Sequence, residues 1–184
     1  MSLSVEQKSP CRTNRIAFFA ALCLFLSAVE YAIPKPLPFL RLGLANLPIL
    51  LSLEIMRRRD TVLLVLLKVL GQGLISGTIF SYIFLFSAAG SFASGLTMLF
   101  LFATCKKFIS AVGLSLAGAL ANTVAQIALA RFILFGENVR YIAPFLLITG
   151  LITGFLLGLF AWQFKRKSRW YASFFVQTGG EIML

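Results

Sequence analysis

Apolar positions run along this chain in long blocks, broken by short polar punctuation. Ile16–Ile33 is an 18-residue run with a single charge, Glu30, and Leu40–Met56 is a second run that carries Arg41 and Glu54. From Thr61 to Thr104, 44 residues hold one charge, Lys68. Two further blocks follow, Ile109–Phe135 and Tyr141–Phe164. A helix needs about 20 apolar residues to cross a hydrocarbon core of about 30 Å, and helix is the form that satisfies its own backbone there. The 44-residue block therefore reads as two helices. Gly71, Gly73, Gly77 and Ser81 put the turn near 78–82, and Gly90–Gly95 offers a second break. The pattern predicts an all-α integral membrane protein with six transmembrane helices in a compact bundle. Residues 1–14 and 165–184 would be cytoplasmic ends, and 15–164 the membrane domain. The first block exceeds the roughly 7–15 residues of a signal-peptide core and no A-x-A site follows, so it reads as a retained span.

Composition supports this picture. The chain is 59% hydrophobic and 12% charged, about half the charge of a soluble domain. Its net charge of +11 sits in clusters between the apolar blocks, with no continuous basic face for nucleic acid. Twelve of the 17 basic residues (Lys8, Arg12, Arg15, Arg57–Arg59, Lys106, Lys107 and the Lys165–Arg169 cluster) fall on one side if the N-terminus is inside. Lys35, Arg41, Arg131 and Arg140 fall on or near the other. Positive-inside asymmetry then puts both termini in the cytoplasm. The bilayer and its anionic headgroups become the expected partner of the charge. With no histidine and only Cys11, Cys23 and Cys105, isolated from one another, neither a metal site nor a cofactor is expected.

An ionisable side chain at mid-bilayer costs about 2.5–3.5 kcal/mol on insertion scales, so each one needs a reason. Glu30, Arg41, Glu54, Lys68 and Arg131 are the candidates, with Asn46, Gln72, Ser76, Asn122 and Gln126 as polar companions. Lys68 and Gln72 are one helical turn apart, as are Asn122 and Gln126. Arg131, nine residues after Asn122, is assigned to nearly the same face. Glu30, Arg41, Asn46, Lys68, Gln72, Asn122, Gln126 and Arg131 are thus the candidate ligand-binding set, with positive members suited to an anionic or carbonyl-rich small molecule. The alternative is mutual satisfaction: Glu30 with Arg41, Glu54 with an arginine of 57–59, and Lys68 and Arg131 snorkelling. Pro48, lacking an N–H, is expected to free the carbonyl of Leu44 inside the membrane. Such a break either lines a cavity or only shapes packing.

Small residues recur at four-residue spacing: Ala17 and Ala21, then Ala117, Ala121 and Ala125, then Gly150, Gly154 and Gly158. Close helix packing is the expectation for the last two sets. Enzymatic chemistry has few players. There is no GxxxxGK[ST] loop, the six acids are scattered, and no nucleophile sits beside a base. The expectation is a protein that is not an enzyme.

RLGLAN at 41–46, after a proline-rich stretch, resembles the K/R-L-G-L-A-N signature of the Gx transporter family. LFSAAGSFASGLTM at 85–98 resembles a serine-, glycine- and methionine-bearing segment of the same family. The family also carries the name heptaprenyl diphosphate synthase component I, and it is similar to S components of energy-coupling factor (ECF) transporters. The resemblance implies a bacterial cytoplasmic-membrane subunit that binds a small molecule near the outer face. A transmembrane T component and two ATPase subunits would drive uptake, with Ala17 and Ala21 docking the T component. The synthase name implies instead a noncatalytic membrane subunit of isoprenoid synthesis. Family association further implies a membrane partner in flavin- or quinone-linked electron transfer.

Overall fold

A computed structural model of the chain describes residues 8–33, 43–105 and 109–168. Six α-helices account for most of them: α1 (Lys8–Ala32), α2 (Leu47–Ser52), α3 (Arg58–Ile75), α4 (Tyr82–Cys105), α5 (Ala111–Ala130) and α6 (Val139–Lys167). A 3-10 turn, Leu44–Asn46, leads into α2, and a π turn with a second 3-10 turn joins α5 to α6 across Arg131–Asn138. No strand occurs among the described residues.

Among the described residues, three stretches are long and apolar enough to cross a membrane: Thr13–Ala32, Tyr82–Cys105 and the 57-residue Ala111–Lys167. The last doubles back on itself, because the glycines of α6 seat against α5 in antiparallel order. Gly150 lies on Thr123, Gly154 on Ala119 and Gly158 on Val112, where a Cβ would come within 2.2–2.8 Å of an α5 atom. The expected close packing is thus present, but the Ala117/Ala121/Ala125 stripe is not the surface the glycines meet. At its two ends α6 carries an arginine over an aromatic ring. Arg140 is 5.1 Å from the Tyr141 centroid and Arg166 is 4.8 Å from that of Trp162. Tyr141 and Trp162 are 21 residues apart, about 31 Å along a helix at 1.5 Å per residue. That matches the thickness of a bilayer core and the usual depth of interfacial aromatics.

The Thr61–Thr104 block is two helices, and the structure settles the turn. It runs from Ser76 to Ser81, with Gly77 at φ +62°, where a Cβ would be strained. Gly90 and Gly95 lie inside α4. Helices α3 and α4 run antiparallel, Val65 against Gly95 and Phe84 against Gly73.

The second block departs from expectation. In place of a spanning helix over Leu40–Met56 there is a helix of six residues, all buried. Gly43 takes a left-handed φ of +84°, so it is not itself part of a right-handed helix. Pro48 stands in the first turn of α2, where its missing N–H costs nothing. Pro48 therefore starts a helix rather than kinking one. The Leu44 carbonyl, expected to be freed, accepts the Leu47 N–H in the 3-10 turn. After Ser52 the chain turns through Leu53–Met56 into α3. The whole segment passes from the level of Glu30, past Lys68, to Lys165, with a bond at each level.

Candidate functional site

Polar side chains from α1, α3, α4 and α5 gather around the 43–46 turn. The turn is set by Gly43, whose N–H donates to Glu30 Oε1 at 3.3 Å. Glu30 is itself 2% exposed, so a carboxylate of α1 anchors the start of the turn inside the protein. A side chain at 43 would be strained by the positive φ, and its Cβ would sit 3.3 Å from Asn46 Nδ2. The 3-10 geometry then turns Asn46 inward.

Asn46 bridges two helices. Its Nδ2 donates to Ser94 Oγ at 3.1 Å, and its Oδ1 accepts from Lys68 Nζ. Lys68 also donates to Ser91 Oγ at 2.9 Å. With 2% of its surface exposed, Lys68 does not snorkel. Its amino group is held in the interior by an amide oxygen and a hydroxyl. Hydrogen bonds to a charged donor are worth about 1.5–3 kcal/mol each, and a buried lysine needs them.

The fifth helix brings Asn122 and Gln126 to the same region, both buried. A Cβ at Gly90 would meet Asn122 Oδ1 at 2.1 Å and Gln126 Nε2 at 3.5 Å. The bare backbone at Gly90 therefore makes room for the two amides beside Ser91. Between the 43–46 turn, α4, α5 and α6 lies a cavity of about 20 Å³, with Asn46, Ser94, Ser115 and Asn122 in its wall. A void of this size holds a water, since one needs about 10–15 Å³, and is far below the roughly 300–1,000 Å³ of small-molecule sites.

Lys68 and Gln72 share a buried face of α3, as their spacing predicts. Gln72 Oε1 and Ser27 Oγ are buried with no hydrogen-bond partner among the described residues. Arg131 does not join the set. It is exposed and pairs with Glu137 at 2.5 Å. Nine residues at 100° advance a helix by about two and a half turns, so Arg131 emerges opposite Asn122, and its assignment to the same face is corrected. Glu54, expected to meet an arginine of 57–59, pairs with Lys165 at 2.7 Å. Arg41 lies outside the described residues, and with it the expected Glu30–Arg41 pair.

Ala17 and Ala21 are exposed on α1, next to Phe18 and Phe25, the latter 64% exposed. The serines were missed: Ser91 and Ser94 reach Lys68 and Asn46, yet neither is among the candidates drawn from the sequence. Their signal was present, because Ser87, Ser91, Ser94 and Met98 repeat at helical spacing along one buried face of α4.

The arrangement offers donors and acceptors in a buried setting. It can bind and orient a polar group. Among the described residues, no three Cys, Asp or Glu side chains come together as a metal would require. Compared with known proteins, residues 19–164 match the model of the family described as heptaprenyl diphosphate synthase component I. No curated protein and no solved structure matches.

Proposed function

The chain belongs to the heptaprenyl diphosphate synthase component I family, which also carries the Gx transporter name, and from that premise we propose that it is the substrate-binding subunit of an ECF-type uptake transporter. The observation that carries this reading is Lys68, a buried amino group held by Asn46 and Ser91 where three segments meet. A protonated lysine donates and does not accept, so a substrate that takes the place of Asn46 beside it would present an anionic or carbonyl oxygen. Asn122, Gln126 and Gln72 extend the polar lining, and Arg41 would form its outer rim. An ionisable group inside a membrane bundle is a functional candidate by default.

In this reading the chain crosses a bacterial cytoplasmic membrane six times with both termini inside. Support comes from the basic residues. Arg57 and Arg58 adjoin the C-terminal turns of α4, and the Glu54–Lys165 pair brings the basic end of α6 to the same end. A ligand of ordinary size enters the 20 Å³ cavity only when the 43–46 turn withdraws Asn46 from Lys68 and Ser94. Gly43 and Pro48 bracket that movement. Ala17 and Ala21, exposed on α1, would dock a transmembrane T component, and two ATPase subunits would supply the energy. The chain itself is noncatalytic.

The family's name favours a second reading, a noncatalytic membrane partner of a prenyl diphosphate synthase. One experiment separates the two: mass spectrometry of the small molecules and proteins retained after mild detergent extraction. The transporter reading expects a retained small molecule that disappears in Lys68→Met, and a co-purifying T component that disappears in Ala17→Trp. An aspartate-rich prenyltransferase in their place would sink it.

A further inference from the structure

A second, larger cleft opens at the basic end of the bundle, away from the Lys68 cluster. It measures about 380 Å³ and lies between the turn leading into α3 and the last turns of α4. Leu53, Met56, Leu99, Phe102 and Ala103 form an apolar part of its wall beside Thr61, while Arg57 and Arg58 line it as exposed side chains. Glu54 also lines it, but its carboxylate is held by Lys165 at 2.7 Å. The cleft therefore joins a hydrocarbon surface to a positive rim, at the end of a protein whose helices lie in a bilayer.

We propose that this cleft is a binding site for an anionic phospholipid, with its phosphate on Arg57 and Arg58 and an acyl chain against Leu99 and Phe102. The volume falls in the range of small-molecule sites, about 300–1,000 Å³. Charge complementarity selects a phosphate, because arginine forks match phosphate oxygens in pairs. The apolar walls select a tail. A free phosphate would leave Leu53, Met56, Leu99 and Phe102 without a role, so the lipid is the favoured source. Each arginine near an anionic headgroup contributes about a fivefold preference. The site is independent of the transport reading, because neither arginine touches the Lys68 cluster.

The test is native mass spectrometry of the full chain in detergent. Three probes are titrated: phosphatidylglycerol, phosphatidylcholine with the same acyl chains, and glycerol 3-phosphate. The expected result is tighter binding of phosphatidylglycerol than of phosphatidylcholine, with R57Q/R58Q lowering the former by about 25-fold. A103W, which fills the cleft from α4, lowers both lipids. R140Q, in the opposite end of α6, changes neither. Unchanged phosphatidylglycerol binding in R57Q/R58Q overturns the proposal, as does an equal loss in R140Q. Glycerol 3-phosphate binding as tightly as the lipid overturns the lipid assignment in favour of a free phosphate. If R57Q/R58Q does not fold, as judged by elution and circular dichroism, A103W decides: retained lipid binding there refutes the site.

Discussion

The bond between Lys68 and Asn46 can be measured by a double-mutant cycle, with Asn46→Ala, Lys68→Met and the pair unfolded in mixed micelles by SDS titration. Asn46→Ala removes two hydrogen bonds, one to Lys68 and one to Ser94. A bond to a charged donor is worth about 1.5–3 kcal/mol and a neutral one about 0.5–1.5, so the single variant should lose about 2–4 kcal/mol. Lys68→Met removes the same charged bond and the one to Ser91, but also relieves the burial of a charge, so its loss should be smaller. The coupling isolates the shared bond. Interhelical hydrogen bonds in membrane proteins average about 0.6 kcal/mol and reach about 1.7, a range that meets the one for charged donors near 1.5. The expected coupling is therefore about 1.5 kcal/mol. A coupling within about 0.5 kcal/mol of zero, the level at which independent sites add, would refute the claim that the two side chains are bonded in the folded protein.

Gly90→Ala should destabilise by about 1–3 kcal/mol, because the new methyl meets Asn122 Oδ1 and overpacks the α4–α5 seam; thermal unfolding in detergent reads it. Gly43→Ala should cost about 1–2 kcal/mol through the left-handed backbone and should also lower the Asn46–Lys68 coupling, since Cβ crowds Asn46. Arg131→Ala should leave stability unchanged within about 0.5 kcal/mol, as exposed ion pairs contribute little, and should not alter retention of any small molecule. A loss of retention in Arg131→Ala would return that residue to the site.

The membrane class was legible in block length alone, because the bilayer imposes one number on every spanning element. The buried pairs Lys68/Gln72 and Asn122/Gln126 were legible because a 3.6-residue period survives burial. The second block was not. Hydropathy sums residues over a window and does not register that Gly43 takes φ +84° or that Pro48 begins a helix, so 17 apolar-looking positions passed for a span. Arg131 failed on phase, half a turn from the face assigned to it. Ser91 and Ser94 were overlooked for a different reason. A serine in a greasy helix can bond its own i−4 carbonyl, so its composition says nothing of a partner. Only the apposition of α3 and α4 supplies Lys68.

The six-residue α2 also constrains how the protein is made. At about 9 Å, such a helix cannot be handed to lipid as an independent span. α1, made earlier, holds its entry through Glu30 and Gly43, but further anchors come from chain that emerges later: Lys68 and Ser94 hold Asn46, and Lys165 holds Glu54 at its exit. Until α6 has been synthesised, the 43–57 segment lacks its last anchor. Its final seating in the bundle is therefore expected only after α6 has been made. A ribosome-bound intermediate truncated before Lys165 should leave this stretch open to protease while α1 and α4 are already protected.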